Sequence, residues 1–196
     1  MFLSEVLDLT KRKIKSQTAN LITLVNLSFG GFAILASISN QLNLSLLFIF
    51  IAALADRFDG MIARKFNSES DLGKQLDSMS DIISFGVAPA LLIYQSVLVD
   101  VGAPGMFTTV FYIACGAFRL ARFNITESKG YFTGLPITAA GCLATLAYLG
   151  IEALPPVFFI FLMTLLSLSM VSPFKIKKMV HLNSIHLNIL IYYSSS

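Results

Sequence analysis

The sequence predicts an all-α integral membrane protein with six transmembrane helices and an N-terminal amphipathic interfacial helix. Three observations predict it. Of 196 residues, 56% are hydrophobic and only 13% are charged, with a mean hydropathy of +0.77; that is about half the charge of an ordinary soluble domain. Apolar runs recur at bilayer-spanning length, roughly 20 residues each. The 14 Lys and Arg residues fall only on alternate connections between those runs. A chain of this length holds about six such helices with short loops, which leaves no room for a second, soluble domain.

Residues 1–15 open the chain with Phe2, Leu3, Val6, Leu7 and Ile14 on one helical face and Lys11, Arg12, Lys13 and Lys15 nearby. That pattern suits a helix lying in the membrane interface. The basic run precedes a full-length apolar segment with no obvious small-residue cleavage site, so a cleavable signal is not expected. Six spans follow, at 20–39, 44–66, 74–99, 105–123, 133–152 and 155–172. Polar Asn40 to Asn43, the Gly102-Ala103-Pro104-Gly105 cluster and Pro155-Pro156 separate some of them. Residues 1–178 form the membrane domain. Residues 179–196, which contain His181 and His186, form a tail or a short helix. The two histidines are five apart, poor helical spacing for a shared metal. Cys115 and Cys142 lie in apolar runs with no metal or disulfide spacing and read as small buried hydrophobes.

Orientation follows from the basic residues. One set of connections holds 11–15, then Arg57, Arg64, Lys65 and Lys74, then Arg119, Arg122 and Lys129, then Lys175, Lys177 and Lys178. The opposite connections hold only Asp100 and Glu152 as charges. The positive-inside rule then puts the N-terminus and the basic connections in the cytoplasm. The expected localisation is a multi-pass protein of the cell membrane.

The stretch Asp56–Asp81, DRFDGMIARKFNSESDLGKQLDSMSD, lies at that cytoplasmic end. Asp56, Asp59, Gly60 and Ala63 share a face of the second span; Gly73, Asp77 and Asp81 share a face of the third. A connection of under ten residues makes these spans antiparallel neighbours, so the acidic faces can converge. A buried ionised carboxylate costs several kcal/mol unless paired or bound to a cation. Four carboxylates without nearby His or Cys form a hard oxygen site suited to two divalent ions, Mg²⁺, Mn²⁺ or Ca²⁺. Two plainer readings stand beside this one. The acids pair with Arg57, Arg64, Lys65 and Lys74 in a surface network, or Gly60 and Gly73 serve helix packing instead of the approach of a bulky ligand.

The stretch fits Asp-x-x-Asp-Gly-x-x-Ala-Arg, eight residues, then Gly-x-x-x-Asp-x-x-x-Asp, with every defined position filled. It resembles the signature of the CDP-alcohol phosphotransferase family, six-helix membrane enzymes that transfer a phosphatidyl-type group from a CDP-linked lipid to an alcohol and release CMP. The resemblance implies that Asp56, Asp59 and Asp77 are metal ligands, that Asp81 contributes to a second metal and is the base for the acceptor hydroxyl, and that Gly60, Ala63, Arg64 and Gly73, with Asp56, Asp59 and Asp77, line the CDP-lipid site. It also implies a homodimer.

Three further segments resemble the phosphatidylserine synthase branch of that family: TANLITLVNLSFG at 18–30, CGAFRLARFN at 115–124 and FTGLPITAAG at 132–141. The first departs in having Ala19 where a proline is common. The branch implies CDP-diacylglycerol as donor and L-serine as acceptor, and no nucleic-acid partner. Arg119 and Arg122, one helical turn apart, suit the serine carboxylate and the lipid phosphate, and Asn124 or Thr133 suits the ammonium. Both arginines also suit anionic headgroups as plain anchors. Phe118, Phe123, Phe132 and Pro136 read as packing. Archaetidylserine synthase, and synthases for glycerophosphate or inositol-phosphate acceptors, remain as alternatives. A cation or solute transporter is a reading of another class. The acids cluster at one side, however, whereas a conduction path needs polar groups across the bilayer.

Overall fold

The structure is a computed structural model that describes residues 2–66, 71–125, 131–173 and 175–177, with side chains described for 20–58, 60, 61, 72–125 and 134–173. Helix α1 runs Phe2–Ile38 and α2 runs Leu42–Phe66. A turn with Asn40 at φ 57° joins them. A third helical rod follows. It comprises α3 (Asp71–Asp81), a π-helical stretch Ile82–Val87, α4 (Ala88–Ile93), a second π stretch Tyr94–Leu98 and a 3₁₀ turn Val99–Val101. Then come α5 (Ala103–Ile125), α6 (Ile137–Tyr148) and α7 (Pro156–Val171). The six rods lie on the six expected runs, with ends that agree to within a few residues except at the start of α1.

Two features differ from expectation. The break expected between an interfacial helix and the first span is absent, because α1 is unbroken through residues 15–20. Ala19 stands there in place of a proline and no glycine intervenes, so nothing stops a propagating helix. The all-α expectation is also departed from by two three-residue strands. Strand β1 (Tyr131–Thr133) pairs antiparallel with β2 (Lys175–Lys177), Phe132 opposite Ile176. They follow α5 and α7, which pack on each other, so the chain leaves both helices at neighbouring points.

Two stretches, Asn20–Ile38 and Leu72–Val101, are long and apolar enough by themselves to cross a membrane; Ile137–Tyr148 and Pro156–Val171 are shorter apolar helices. Helix α2 has the length, 25 residues, but carries Asp56, Arg57, Asp59, Arg64 and Lys65 in its second half. The tail at 179–196 with His181 and His186 lies outside the described residues.

The third rod departs from α-geometry for a local reason. Pro89 has no N–H to donate to the Phe85 carbonyl one turn back. Tyr112 Oη of α5 donates to that carbonyl at 3.2 Å instead. Gly141 of α6 packs on the same point, and a Cβ there would sit 2.7 Å from the Phe85 oxygen. Three helices thus meet at Phe85, which is fully buried with Tyr112, Ile137, Ala140, Ala144, Phe159, Met163 and Met170 in the main core. A smaller core of Ala33, Ile49, Ala88 and Leu92 joins α1, α2 and α4. Cys115 is buried and Cys142 half-buried, and both are free thiols, as their apolar surroundings suggested.

Candidate metal centre

Helices α2 and α3 bring Asp56, Asp77 and Asp81 together. One carboxylate oxygen from each lies within 4.8 Å of the others. Asp56 and Asp81 are half-buried and Asp77 is exposed, so the cluster has a dry side and a wet side. The carboxyl groups of Asp56 and Asp81 lie close together, and the Asp81 Oδ1 is buried without a hydrogen-bond partner. Ligand oxygens around one divalent ion are separated by at most about twice the metal–oxygen distance, roughly 4–5 Å. The donor set and its spacing therefore fit a divalent cation.

The remaining family-motif positions lie on the same two helices. Asp59 is one turn beyond Asp56 on α2, with Gly60, Ala63 and Arg64 following; Gly73 is one turn before Asp77 on α3. The side chains of Asp59, Ala63, Arg64 and Thr133 are outside the described ones.

Helix α5 faces the cluster with Arg119. This side chain is 7% exposed. Its guanidinium acts electrostatically on Asp81, sits 5.9 Å from the Phe123 ring centroid and has its Nε buried without a partner. Arg122 Nη1 donates to the Val171 carbonyl at the end of α7, at 3.1 Å. Asn124 Nδ2 donates to Ser78 Oγ at 3.0 Å, which ties the end of α5 to α3 beside Asp77. Of the residues expected at an acceptor pocket, Arg119 therefore points at the cluster, while Arg122 and Asn124 have bonds that hold neighbouring helices.

The glycine of the FTGLP segment has a backbone role. Gly134 has φ +75°, a conformation other residues rarely adopt, and lies against the Met170 carbonyl. Leu135 N donates to the Ser169 carbonyl at 3.0 Å. The segment docks the start of α6 onto α7.

Asn26 was not singled out from the sequence. It is fully buried on α1, and neither atom of its side-chain amide has a hydrogen-bond partner. The Asn26 backbone carbonyl accepts from Ser84 Oγ at 3.2 Å, and the Thr23 backbone carbonyl accepts from Ser80 Oγ at 3.3 Å. These contacts set Asn26 one turn deeper than Asp81. The available signal was an amide inside an otherwise apolar span.

A helical bundle holding a three-carboxylate cluster with an arginine facing it has the donor set of a divalent-metal group-transfer site. The chain belongs to the CDP-alcohol phosphatidyltransferase family, whose sequence model matches residues 16–189. It is 42% identical over 130 residues to a CDP-diacylglycerol–serine O-phosphatidyltransferase of Bacillus subtilis, covering 65% of this chain and 73% of that one. It is 42% identical over 144 residues to an archaetidylserine synthase of Methanothermobacter thermautotrophicus, covering 70% of this chain and 61% of that one. A Helicobacter pylori CDP-diacylglycerol–serine O-phosphatidyltransferase is 37% identical over 133 residues, covering 66% of this chain and 56% of that one. The chain thus matches under two thirds of the latter two relatives' lengths.

Proposed function

We propose that this chain is a phosphatidylserine synthase, transferring the phosphatidyl group of CDP-diacylglycerol to the hydroxyl of L-serine with release of CMP. The observation that carries it is the convergence of Asp56, Asp77 and Asp81 within 4.8 Å, in a chain whose similarity extends to serine-specific relatives. The six helical rods are six membrane spans, with the N-terminus and the cluster on the cytoplasmic side, and the chain works as a homodimer.

Asp56, Asp59, Asp77 and Asp81 would hold two divalent ions, Mg²⁺ or Mn²⁺. When bound, such ions neutralise a diphosphate and stabilise its leaving group. Gly60, Ala63, Arg64 and Gly73 border the space for the cytidine diphosphate. Asp81 takes the proton of the serine hydroxyl as that oxygen attacks the lipid-bearing phosphorus and the bond to CMP breaks. Its unpartnered Oδ1 is free to accept that proton. Arg119 holds the serine carboxylate; the donors of a guanidinium suit a bidentate carboxylate. Arg122, Asn124 and Thr133 complete or brace this pocket.

The test is incorporation of radiolabelled serine into lipid by purified protein with CDP-diacylglycerol and Mg²⁺ or Mn²⁺. Serine-dependent CMP release supports the reading. Incorporation of glycerol 3-phosphate or inositol phosphate in place of serine overturns the acceptor. The similarity to an archaetidylserine synthase favours one second reading, an ether-lipid donor, and CDP-archaeol supplied beside CDP-diacylglycerol distinguishes the two.

A further inference from the structure

Asn26 stands inside the apolar stretch Asn20–Ile38 of α1, and neither Oδ1 nor Nδ2 has a partner. A polar side chain within such a stretch commonly marks function. Among the described residues, the other buried side-chain atoms without a partner are Asp81 Oδ1 and Arg119 Nε, both at the aspartate cluster. Two registers set Asn26 at the height of that cluster. On one side, Ser80 Oγ and Ser84 Oγ donate to the backbone carbonyls of Thr23 and Asn26. Helix α1 therefore runs parallel to the third rod, and the two bonds bracket Asp81. A Cβ at Gly30, one turn along α1, would overlap Ser84, so the two backbones lie close here. On the other side, α1 and α2 are antiparallel about the turn at Asn40. Asn26 and Leu54 stand equally far from the facing helix ends, Ile38 and Leu42. Asp56 is thus within one turn of the height of Asn26. Helical side chains lean toward the N-terminus of their helix, and on α1 that is the direction of Asp56.

We propose that Asn26 Oδ1 is a neutral ligand of the divalent-metal centre and closes it on the side away from water. The proposal rests on the reading of Asp56, Asp77 and Asp81 as a metal site. Oxygens that share a cation are neighbours that cannot bond one another, since both accept. Asn26 Oδ1 and Asp81 Oδ1 are two such acceptors without donors. Burial favours an ion over the serine or the diphosphate as the partner. Asn26 is 0% exposed, so nothing the size of water touches it. Mg²⁺ bonds oxygen at about 2.0–2.1 Å, well inside the roughly 2.8 Å of a water contact. Charge favours an amide. Four carboxylates already balance two divalent ions, and a further one at this depth would be a buried charge without a counterion. An amide oxygen is a hard donor that adds none. The Nδ2 of the same amide supplies the kind of hydrogen bond that ligating carboxylates take from the groups around them.

The affinity of the full-length protein for Mn²⁺, read by electron paramagnetic resonance in detergent without substrates, tests this. Asn26→Leu should raise the Kd for Mn²⁺ by about tenfold or more. An unchanged Kd overturns the proposal, and an unchanged Kd with a raised serine KM would make Asn26 a substrate contact instead. A second pair of variants separates a ligand from a packing residue and decides should Asn26→Leu not fold. Asn26→Val and Asn26→Thr match in shape, and only threonine keeps an oxygen. Asn26→Thr should bind Mn²⁺ at least about threefold more tightly than Asn26→Val, and equal affinities overturn the proposal. The wild-type protein distinguishes the two levels of failure. If it binds no Mn²⁺, the reading of the cluster as a metal site has failed, and the assignment of Asn26 falls with it. If it binds Mn²⁺ and releases CMP, while the Asn26 variants bind Mn²⁺ as it does, only the assignment of Asn26 falls.

Discussion

Tyr112 donates its hydroxyl proton to the carbonyl of Phe85 at 3.2 Å, the carbonyl that Pro89 leaves without a helical donor. The bond lies within the first π stretch of the Asp81-bearing rod, Ile82–Val87, and both residues are fully buried. Tyr112→Phe would keep the ring and orphan a buried carbonyl, a loss of about 1–3 kcal/mol. Thermal unfolding in detergent should show the loss. Turnover should fall with it, because the π stretch beginning at Ile82 follows Asp81 directly. An unchanged unfolding midpoint would mean that water satisfies the carbonyl.

Removing the metal tests the cluster as a whole. Chelation should abolish CMP release, and Mg²⁺ or Mn²⁺ should restore it. Asp77→Asn removes the exposed carboxylate of the cluster. It should raise the metal concentration needed for half-maximal rate by about tenfold or more while the fold persists, given that even a residue supporting a metal ligand is worth about 10–100-fold in affinity. An unaltered metal requirement would exclude Asp77 as a ligand.

Asp81→Asn separates binding from chemistry. The amide keeps the shape and loses the ability to take a proton, which is worth about 10²–10⁴-fold in rate. CDP-lipid binding should survive at close to its original affinity. A purified variant with near-normal turnover would rule out Asp81 as the base.

Much of this arrangement is legible in the sequence. Apolar run length gave the six rods, and helical spacing on α2 and α3 gave the convergence of Asp56, Asp77 and Asp81. The π stretches of the third rod were only partly legible: Pro89 marks the place, but Tyr112 and Gly141, which meet at the Phe85 carbonyl, arrive from distant helices. The partners of Arg122 and Asn124 were hidden for the same reason. A one-turn spacing puts Arg119 and Arg122 near each other, but only the position of α7 turns Arg122 toward Val171. The β1–β2 pair was missed because three-residue strands carry no periodicity to read.

That division of the two arginines predicts distinct kinetics. Arg119→Gln should raise the serine KM by about 10–100-fold, the equivalent of roughly 1.5–3 kcal/mol for hydrogen bonds to a charged group. Arg119→Lys should recover only part of the loss, since an ammonium cannot form the bidentate pair. Arg122→Gln should act mainly on stability, by about 1 kcal/mol, through the lost bond to α7. Steady-state kinetics against serine together with unfolding midpoints check this. Equal KM effects for both residues would place Arg122 in the acceptor pocket as well.

Asn26 offers the sharpest contrast between stability and activity. A buried amide with neither atom partnered costs about 1–3 kcal/mol, and Asn26 is fully buried in that state. Leucine has a similar volume and no polar atoms, so Asn26→Leu should raise the unfolding midpoint. Local rules tend to be broken where function requires it, and the unpartnered amide lies level with Ser84, one turn past Asp81, as the bond from Ser84 Oγ to the Asn26 backbone carbonyl shows. The same substitution should therefore lower turnover. Unfolding and serine-dependent CMP release, measured on one preparation, decide the point. A variant that is more stable and fully active would make Asn26 a structural residue alone. One that is less stable would show that its amide is satisfied by water in the folded protein.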